Sequence, residues 1–310
     1  MSAPMSRRRA LFSATAGFTS AYALSSPIGA APQEQPQQSI CAFTKPFNSL
    51  SFEELSDRIA EAGFAGIEAP IRRGGYIDPT AIEDRLPELI EALRSRGLEL
   101  TVMASDIDDP NEPLTEKVLR TAAALGIERY RMNYLMYDLK RPVLDQLNEW
   151  RPRFRDLADM NHELGIRAVY QNHACWGKLK SSGKLLGAAI WDLKEVLEEI
   201  PVDRIGIAFD IRHATVEGGT SWPITFNMIR PHIDTVYVKD FRWVEREIQD
   251  VPLGTGQVNP EFFRLLADSQ FRGPISLHEE YLDHARPELV PQHLAALKND
   301  LQTLKSWLRT

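Results

Sequence analysis

From about residue 39 onward the chain repeats one unit: a short apolar run of β character, a longer helical pattern, then a stop. The stop is often glycine, which takes the left-handed backbone that ends a helix at no steric cost. Gly97 closes a helix from about Thr80 to Arg96, Gly126 one from about Glu112 to Leu125, and Gly165 one that runs through Trp150 to Leu164. The β-like runs are Ser39–Phe43, Gly66–Glu68, Leu98–Met103, Tyr130–Asn133, Ala168–Asn172, Ile205–Asp210, Ile233–Lys239 and Pro274–Leu277. Ser51-Phe52-Glu53-Glu54 has the form of a capping box opening a helix to Ala62, and Ser221 is expected to cap a short helix to Arg230. Further helices are expected near residues 185–199, 260–269 and 287–308. Eight strand–helix units predict a closed parallel sheet ringed by helices, a single (β/α)8 TIM barrel over residues 39–310. An open doubly wound sheet would usually carry a glycine-rich phosphate loop after its first strand, and nothing after Phe43 has that form.

The first 38 residues stand outside the repeat. Ser6-Arg7-Arg8-Arg9-Ala10-Leu11-Phe12 is a basic stretch running into a small and apolar segment that fades near Leu24, with Ile28-Gly29-Ala30 as a plausible cleavage point. The run is too short and too rich in Ser, Thr, Gly and Ala for the ~20 apolar residues of a membrane span. Paired arginines in that position resemble a twin-arginine export signal, so residues 1–30 are expected to be a cleaved leader and the protein periplasmic. Residues 31–38, APQEQPQQ, read as a linker. The whole chain carries 36 basic and 43 acidic residues, a net charge of −7. Losing the leader would remove Arg7, Arg8 and Arg9 and no acid. That balance argues against nucleic acid, or a membrane surface beyond the export signal, as a partner. Cys41 and Cys175 fall on strands far apart in such a barrel and are expected to be free thiols.

In a barrel of this kind the active site lies at the carboxyl ends of the strands. Side chains alternate along a strand, which sorts inward from outward positions. In Ile205–Asp210 the apolar Ile205, Ile207 and Phe209 share one face, and Asp210 lies on the other. The same alternation turns Gln171 and His173, Tyr237 and Lys239, and Ser276, His278 and Glu280 inward. Asp240 stands at the rim. Arg131, Asn133, Glu68 and Lys45 are the corresponding ends of other strands. An ordinary core does not gather so many polar groups at one end, because buried polar atoms without partners are costly. Trp176, Trp222, Trp243 and Tyr281 follow these strand ends and offer flat apolar faces suited to a carbohydrate, to packing loops onto the rim, or to covering a dimer interface.

The segments Tyr170-Gln171-Asn172-His173, Asp210-Ile211-Arg212-His213, Val236-Tyr237-Val238-Lys239-Asp240, Leu253-Gly254-Thr255-Gly256 and Ile275-Ser276-Leu277-His278 together resemble the xylose isomerase-like barrels of sugar isomerases and epimerases. The resemblance runs from about residue 40 to the C-terminus. It implies a small carbohydrate substrate and a divalent metal held by two Glu, an Asp and a His, with the two Glu also exchanging a proton beside a carbonyl. This sequence keeps Asn172, His173, Asp210, His213, Lys239, Asp240, Gly254 and Gly256. It departs at three metal positions, where Gln171 replaces Glu, Tyr237 replaces His and His278 replaces Glu.

Those departures leave one formal charge among the four positions, too little for a hard ion. A single Zn, Mn or Co held by Asp210 and His278, with Gln171 and Tyr237 at the remaining positions and His213, His173 or Glu280 recruited, stays open beside no metal at all. Gln171 cannot take a proton, so the two-carboxylate shuttle is gone. His278, with an ordinary pKa of about 6.5, is the expected acid–base, supported by Glu280 and Lys239. Asn172, His173, Arg212, His213, Glu68 and the tryptophans 176, 222 and 243 are expected on the substrate. The expected activity is isomerisation or epimerisation of a carbohydrate or keto sugar by proton abstraction next to a carbonyl. A lyase or hydrolase on keto-glycosides, or a sugar-binding barrel without catalysis, are the alternatives.

Overall fold

A computed structural model describes residues 38–175 and 184–309. The expected leader and most of the expected linker, as well as Trp176, lie outside the described residues.

Eight parallel strands close into a barrel. In chain order the first seven are β1 (Ile40–Phe43), β2 (Gly66–Pro70), β3 (Glu99–Ala104), β4 (Arg129–Arg131), β5 (Arg167–Gln171), β6 (Ile205–Asp210) and β7 (Ile233–Val238). A hairpin, β8 (Asp240–Val244) and β9 (Glu247–Val251), follows before the last barrel strand, β10 (Ile275–Leu277), which closes the ring between β7 and β1. The helices are α1 (Phe52–Ala62), α2 (Ile82–Arg94), α3 (Thr115–Ala124), α4 (Val143–Leu164), α5 (Trp191–Leu197), α6 (Ile211–Gly218), α7 (Trp222–Ile229), α8 (Glu261–Asp268) and α9 (Val290–Trp307).

Local signals account for many of these boundaries. Both bonds of the Ser51/Glu54 capping box are present, and Gly63 ends α1 in the left-handed conformation. Two elements differ from the sequence reading. Asp210, not Ser221, opens the helical segment after β6: its carboxylate accepts the His213 N–H and starts α6 at Ile211. Ser221 makes no capping bond and sits in a 3-10 turn between α6 and α7. The β8–β9 hairpin was not expected, because its polar, exposed face hides a strand pattern; its turn carries Glu245 at φ 56°.

Alternation holds through most of the barrel, with register shifts at Thr101 in β3 and Asp234 in β7. Ile205, Ile207 and Phe209 pack outward into the large apolar layer between sheet and helices. Val102, Val169, Ala208 and Tyr237 form a separate small cluster inside the ring. Above that plug the inward positions become polar, and the site begins there.

Candidate active site

Asp210 is the point on which the site is built. It is fully buried, and its Oδ1 is fixed by the His213 N–H at 3.0 Å. Its Oδ2 accepts from Gln171 Nε2 at 2.9 Å and faces Lys239 Nζ at 3.3 Å. Asn172 Oδ1 accepts the Asp210 N–H at 2.8 Å, and Asn172 Nδ2 donates to the Asp210 carbonyl at 3.0 Å. Asn172 is therefore spent on joining β5 to β6 rather than on a substrate oxygen.

From Asp210 a line of alternating charge runs round the barrel mouth. Lys239 Nζ lies between Asp210 and Glu280 Oε2, the latter at 3.2 Å. Glu280 Oε1 faces His278 Nδ1 at 3.5 Å, and His278 Nε2 meets Glu68 Oε2 at 3.0 Å. Glu68 also accepts from Tyr237 Oη at 3.0 Å and Ser276 Oγ at 2.7 Å, with Arg131 Nε 3.4 Å away. Glu68 is wholly buried beneath the others, so the expectation that it binds substrate gives way to a supporting role: it holds His278 and Tyr237.

The electrostatics follow from that line. Burial favours the neutral form of His278, but Glu68 and Glu280 outweigh it and raise its pKa, which favours the cationic ring. Burial would raise Glu280, and Lys239 with His278 instead holds it well below the usual carboxylate range. Lys239 is buried, yet Asp210 and Glu280 keep its pKa above the ordinary value. Glu280 is 26 % exposed and Lys239 only 4 %, so the carboxylate is the member of this line that solvent and ligands reach.

His173 and His213 stack with ring centroids 3.8 Å apart. His213 Nδ1 lies 2.9 Å from Arg212, which can only donate, so Nδ1 accepts and Nε2 carries the proton. That Nε2 faces Asp210 Oδ2 at 3.4 Å without a good hydrogen bond. His173 Nδ1 faces the Ala174 carbonyl at 2.9 Å, which leaves the Nε2 lone pair free to accept. Burial and then Lys239 push the His173 pKa down to about 4, and burial with the neighbouring His173 ring lowers His213 well below its ordinary value. Both rings are neutral polar surfaces.

The remaining expected residues divide. Arg212 is buried, pairs with Asp250 on β9 at 2.6 Å and lies over the Phe241 ring at 5.5 Å, so it anchors the hairpin. Trp222 is buried against Phe262 in the layer between α7 and α8, away from the polar line. Trp243 stands 40 % exposed on β8, edge-on to Phe241. Three contributors were missed. Phe43, at the end of β1, stacks on His278 at 4.5 Å and 22°. Tyr134 donates to Gln171 Oε1 and accepts from Arg131 at 2.7 Å. Arg72 lies just beyond β2. Phe43 sits where alternation would place it, whereas Tyr134 and Arg72 lie past their strands, where period-2 reasoning has no hold.

The donor set does not fit a divalent metal. Lys239 and the Gln171 amide N–H occupy Asp210 Oδ2, and the His213 N–H occupies Oδ1. Both His278 nitrogens face carboxylates, which favour the protonated ring over one with a lone pair for a metal. Tyr237 donates to Glu68, and burial with that carboxylate raises its pKa well above normal, so it offers no phenolate. Among the described residues no group of three or more His, Cys, Asp or Glu is arranged to hold a metal ion. Cys41 and Cys175 are free, and burial with Glu68 pushes the Cys41 thiol up to about 12.

Residues 56–300 match the xylose isomerase-like TIM barrel family, and the chain belongs to it. Among solved structures the barrel is similar to a probable 3-DHS dehydratase from Bacillus anthracis (16 % identity, 87 % of this chain and 99 % of that one, TM-score 0.65). It is also similar to a 3-keto-D-glucoside 4-epimerase from E. coli (16 % identity, 87 % and 100 %, TM-score 0.64). A family protein from Mycobacterium smegmatis, solved in complex with magnesium, is similar over 85 % of this chain and 98 % of its own (16 % identity, TM-score 0.57). No curated protein matches the chain in sequence.

Proposed function

We propose that this protein is a sugar isomerase or epimerase-like enzyme that enolises a keto sugar with a single carboxylate base and without a metal. The observation that carries the reading is the contiguous set Lys239, Glu280 and His278: an ammonium, a carboxylate and an imidazolium side by side at the barrel mouth. Glu280 is the reachable carboxylate; once the substrate oxygen draws Lys239 and His278 onto itself, the pairing that weakens Glu280 is relieved and it takes the proton from the carbon beside the carbonyl. The sequence pointed to His278 as the acid–base with Glu280 in support. A place between two carboxylates suits His278 to the donor half of that role and leaves the base to Glu280. Lys239 and His278 Nδ1 donate to the oxygen on which negative charge grows, the task that fixed cations perform best in a dry site. Asp210 positions Lys239. The neutral rings of His173 and His213 meet sugar hydroxyls.

One base returns the proton on the face from which it was taken, which suits isomerisation or elimination better than epimerisation through two carboxylates. The imidazolium beside the base also favours a second reading, a lyase on keto-glycosides, because His278 can protonate the departing oxygen. Likeness to a dehydratase and to an epimerase of keto-glucosides supports both. The paired arginines ahead of the short apolar run support export to the periplasm.

Solvent-deuterium exchange into fructose and 3-ketoglucose tests the reaction. Exchange at the carbon beside the carbonyl is expected, and Glu280→Gln should slow it by about a hundredfold or more. Sugar binding without exchange would instead mark a binding protein, and exchange that survives Glu280→Gln would move the base elsewhere.

A further inference from the structure

A protein with more acids than bases concentrates cations at this one mouth. Lys45 follows β1 and Arg72 follows β2, two neighbouring strands of the barrel. Lys45 lies within electrostatic reach of Glu280, Arg72, Lys239 and Arg131, and Arg72 within that of Arg131. Neither Lys45 nor Arg72 forms a salt bridge among the described residues, while the other cations here do: Arg131 with Glu68, Lys239 with Asp210 and Glu280, Arg212 with Asp250. Of the two acids whose charge reaches Arg72, Asp106 is already held by the Arg73 N–H at 2.8 Å and Arg73 Nε at 3.6 Å, and Glu68 is buried against His278, Tyr237 and Ser276.

A second observation points the same way. Arg131 Nε and His278 Nδ1 are buried nitrogens without a well-formed hydrogen bond, each only loosely facing a carboxylate, at 3.4 and 3.5 Å. Burial and mutual repulsion also depress the pKa of Lys45 and Arg72 by more than Glu280, Asp106 and Glu68 raise it. Lys45 is exposed and Arg72 half-buried, so both are open to a ligand.

We infer that Lys45 and Arg72, backed by Arg131, form a subsite for an anionic group, and that the substrate is an acidic carbohydrate rather than a neutral one. The inference rests on the carbohydrate reading of the site and adds the substrate's charge. An anion placed there shares the barrel mouth with Glu280 and Lys239, so the acid group belongs to the same sugar that loses its proton. The two cations attract it, orient the sugar chain and offset its repulsion from Glu280.

The test is calorimetric binding to the whole protein of glucuronate and fructuronate, glucose 6-phosphate, and neutral glucose and fructose, at low and high salt. At least one acidic probe is expected to bind about tenfold or more tightly than its neutral counterpart, with the advantage shrinking as salt rises. The uronates and the sugar phosphate separate a carboxylate from a phosphate. The double variant Lys45→Met, Arg72→Gln should lose the advantage while keeping its melting temperature. Equal binding of acidic and neutral sugars, failure of every acidic probe to bind, or an acid preference that survives the double variant would overturn the inference. Deuterium exchange into neutral fructose stays as an independent readout: exchange without acid preference sinks this inference and leaves the enolising reaction standing.

Discussion

At the residue scale, three substitutions decide the chemistry. Gln171, Tyr237 and His278 each turn a position that resembles a metal ligand into a hydrogen-bonding partner. The space between them is filled by internal bonds: Gln171 to Asp210, Tyr237 to Glu68, and His278 to Glu68 and Glu280. Mn²⁺ or Zn²⁺ in excess is accordingly expected to leave the melting temperature unchanged, since a ligand that binds the folded state must raise it. Chelation with EDTA should likewise leave deuterium exchange intact. A rise of several degrees with one equivalent of either metal would contradict the donor chemistry described above. The sequence reading found Asp210, Lys239, Glu280 and His278 by alternation alone. It could not assign their protonation, because that depends on which carboxylate each faces across the barrel: Glu68 and His278 are 210 residues apart in the chain.

At the element scale, the polar segments around the site are held by backbone hydrogen bonds to buried carboxylates. Asp240 gathers four N–H groups: Phe241 and Val258 on Oδ1, Gly254 and Gly256 on Oδ2, all at 2.8–3.0 Å. The Gly-x-Gly turn is thus a clasp on the β8–β9 hairpin. A Cβ on Gly256 would lie 2.3 Å from both Asp240 Oδ1 and the Phe241 carbonyl oxygen. Gly256→Ala should cost about 2–4 kcal/mol of stability in urea unfolding, the range of a buried steric overlap that breaks a hydrogen-bond network.

The segment after β10, which carries Glu280, is arranged around Glu279. That carboxylate accepts the N–H groups of Tyr281 and Leu282 and binds His293 of α9. Asp300, also on α9, accepts the Leu253 N–H at 3.0 Å and pairs with the Tyr281 hydroxyl. Burial, with the Glu279 and Asp240 carboxylates nearby, pushes the Asp300 pKa up to about 7. An unfolded aspartate ionises near 4, so between about pH 4 and 7 the unfolded chain releases a proton that the folded chain keeps. Asp300 therefore costs stability progressively as pH rises through that window. Asp300→Asn should stabilise the protein at pH 8, on the order of 3 kcal/mol, and make little difference at pH 4. Melting curves at the two pH values check this, and equal effects at both would refute the raised pKa.

At the scale of the whole molecule, the two ends of the barrel do different work. At the amino-terminal end Asp234 on β7 binds Arg129 of β4 at 2.8 Å and Arg167 of β5 at 3.0 Å, with Thr235 Oγ1 also donating to it. The carboxylate ties three strands together, away from the polar line at the mouth. Asp234→Ala leaves two arginines without their shared partner and should cost about 3 kcal/mol in equilibrium unfolding, while sugar binding at the other end stays within twofold. A large loss of binding with unchanged stability would reverse that assignment.

The sequence by itself determined the barrel, its strand order of facing and the end at which the polar groups meet, because those follow from local signals: period-2 alternation, glycine stops and one capping box. It could not reveal the β8–β9 hairpin, whose exposed face carries no apolar period, nor the helix that starts at Asp210, whose cap is also a site residue. Only the tertiary structure decided the chemistry. Closing β10 against both β7 and β1 brings Glu68, His278, Glu280 and Lys239 into one line of charge. Within that line, burial and the opposite charge on each neighbour fix which groups keep their protons.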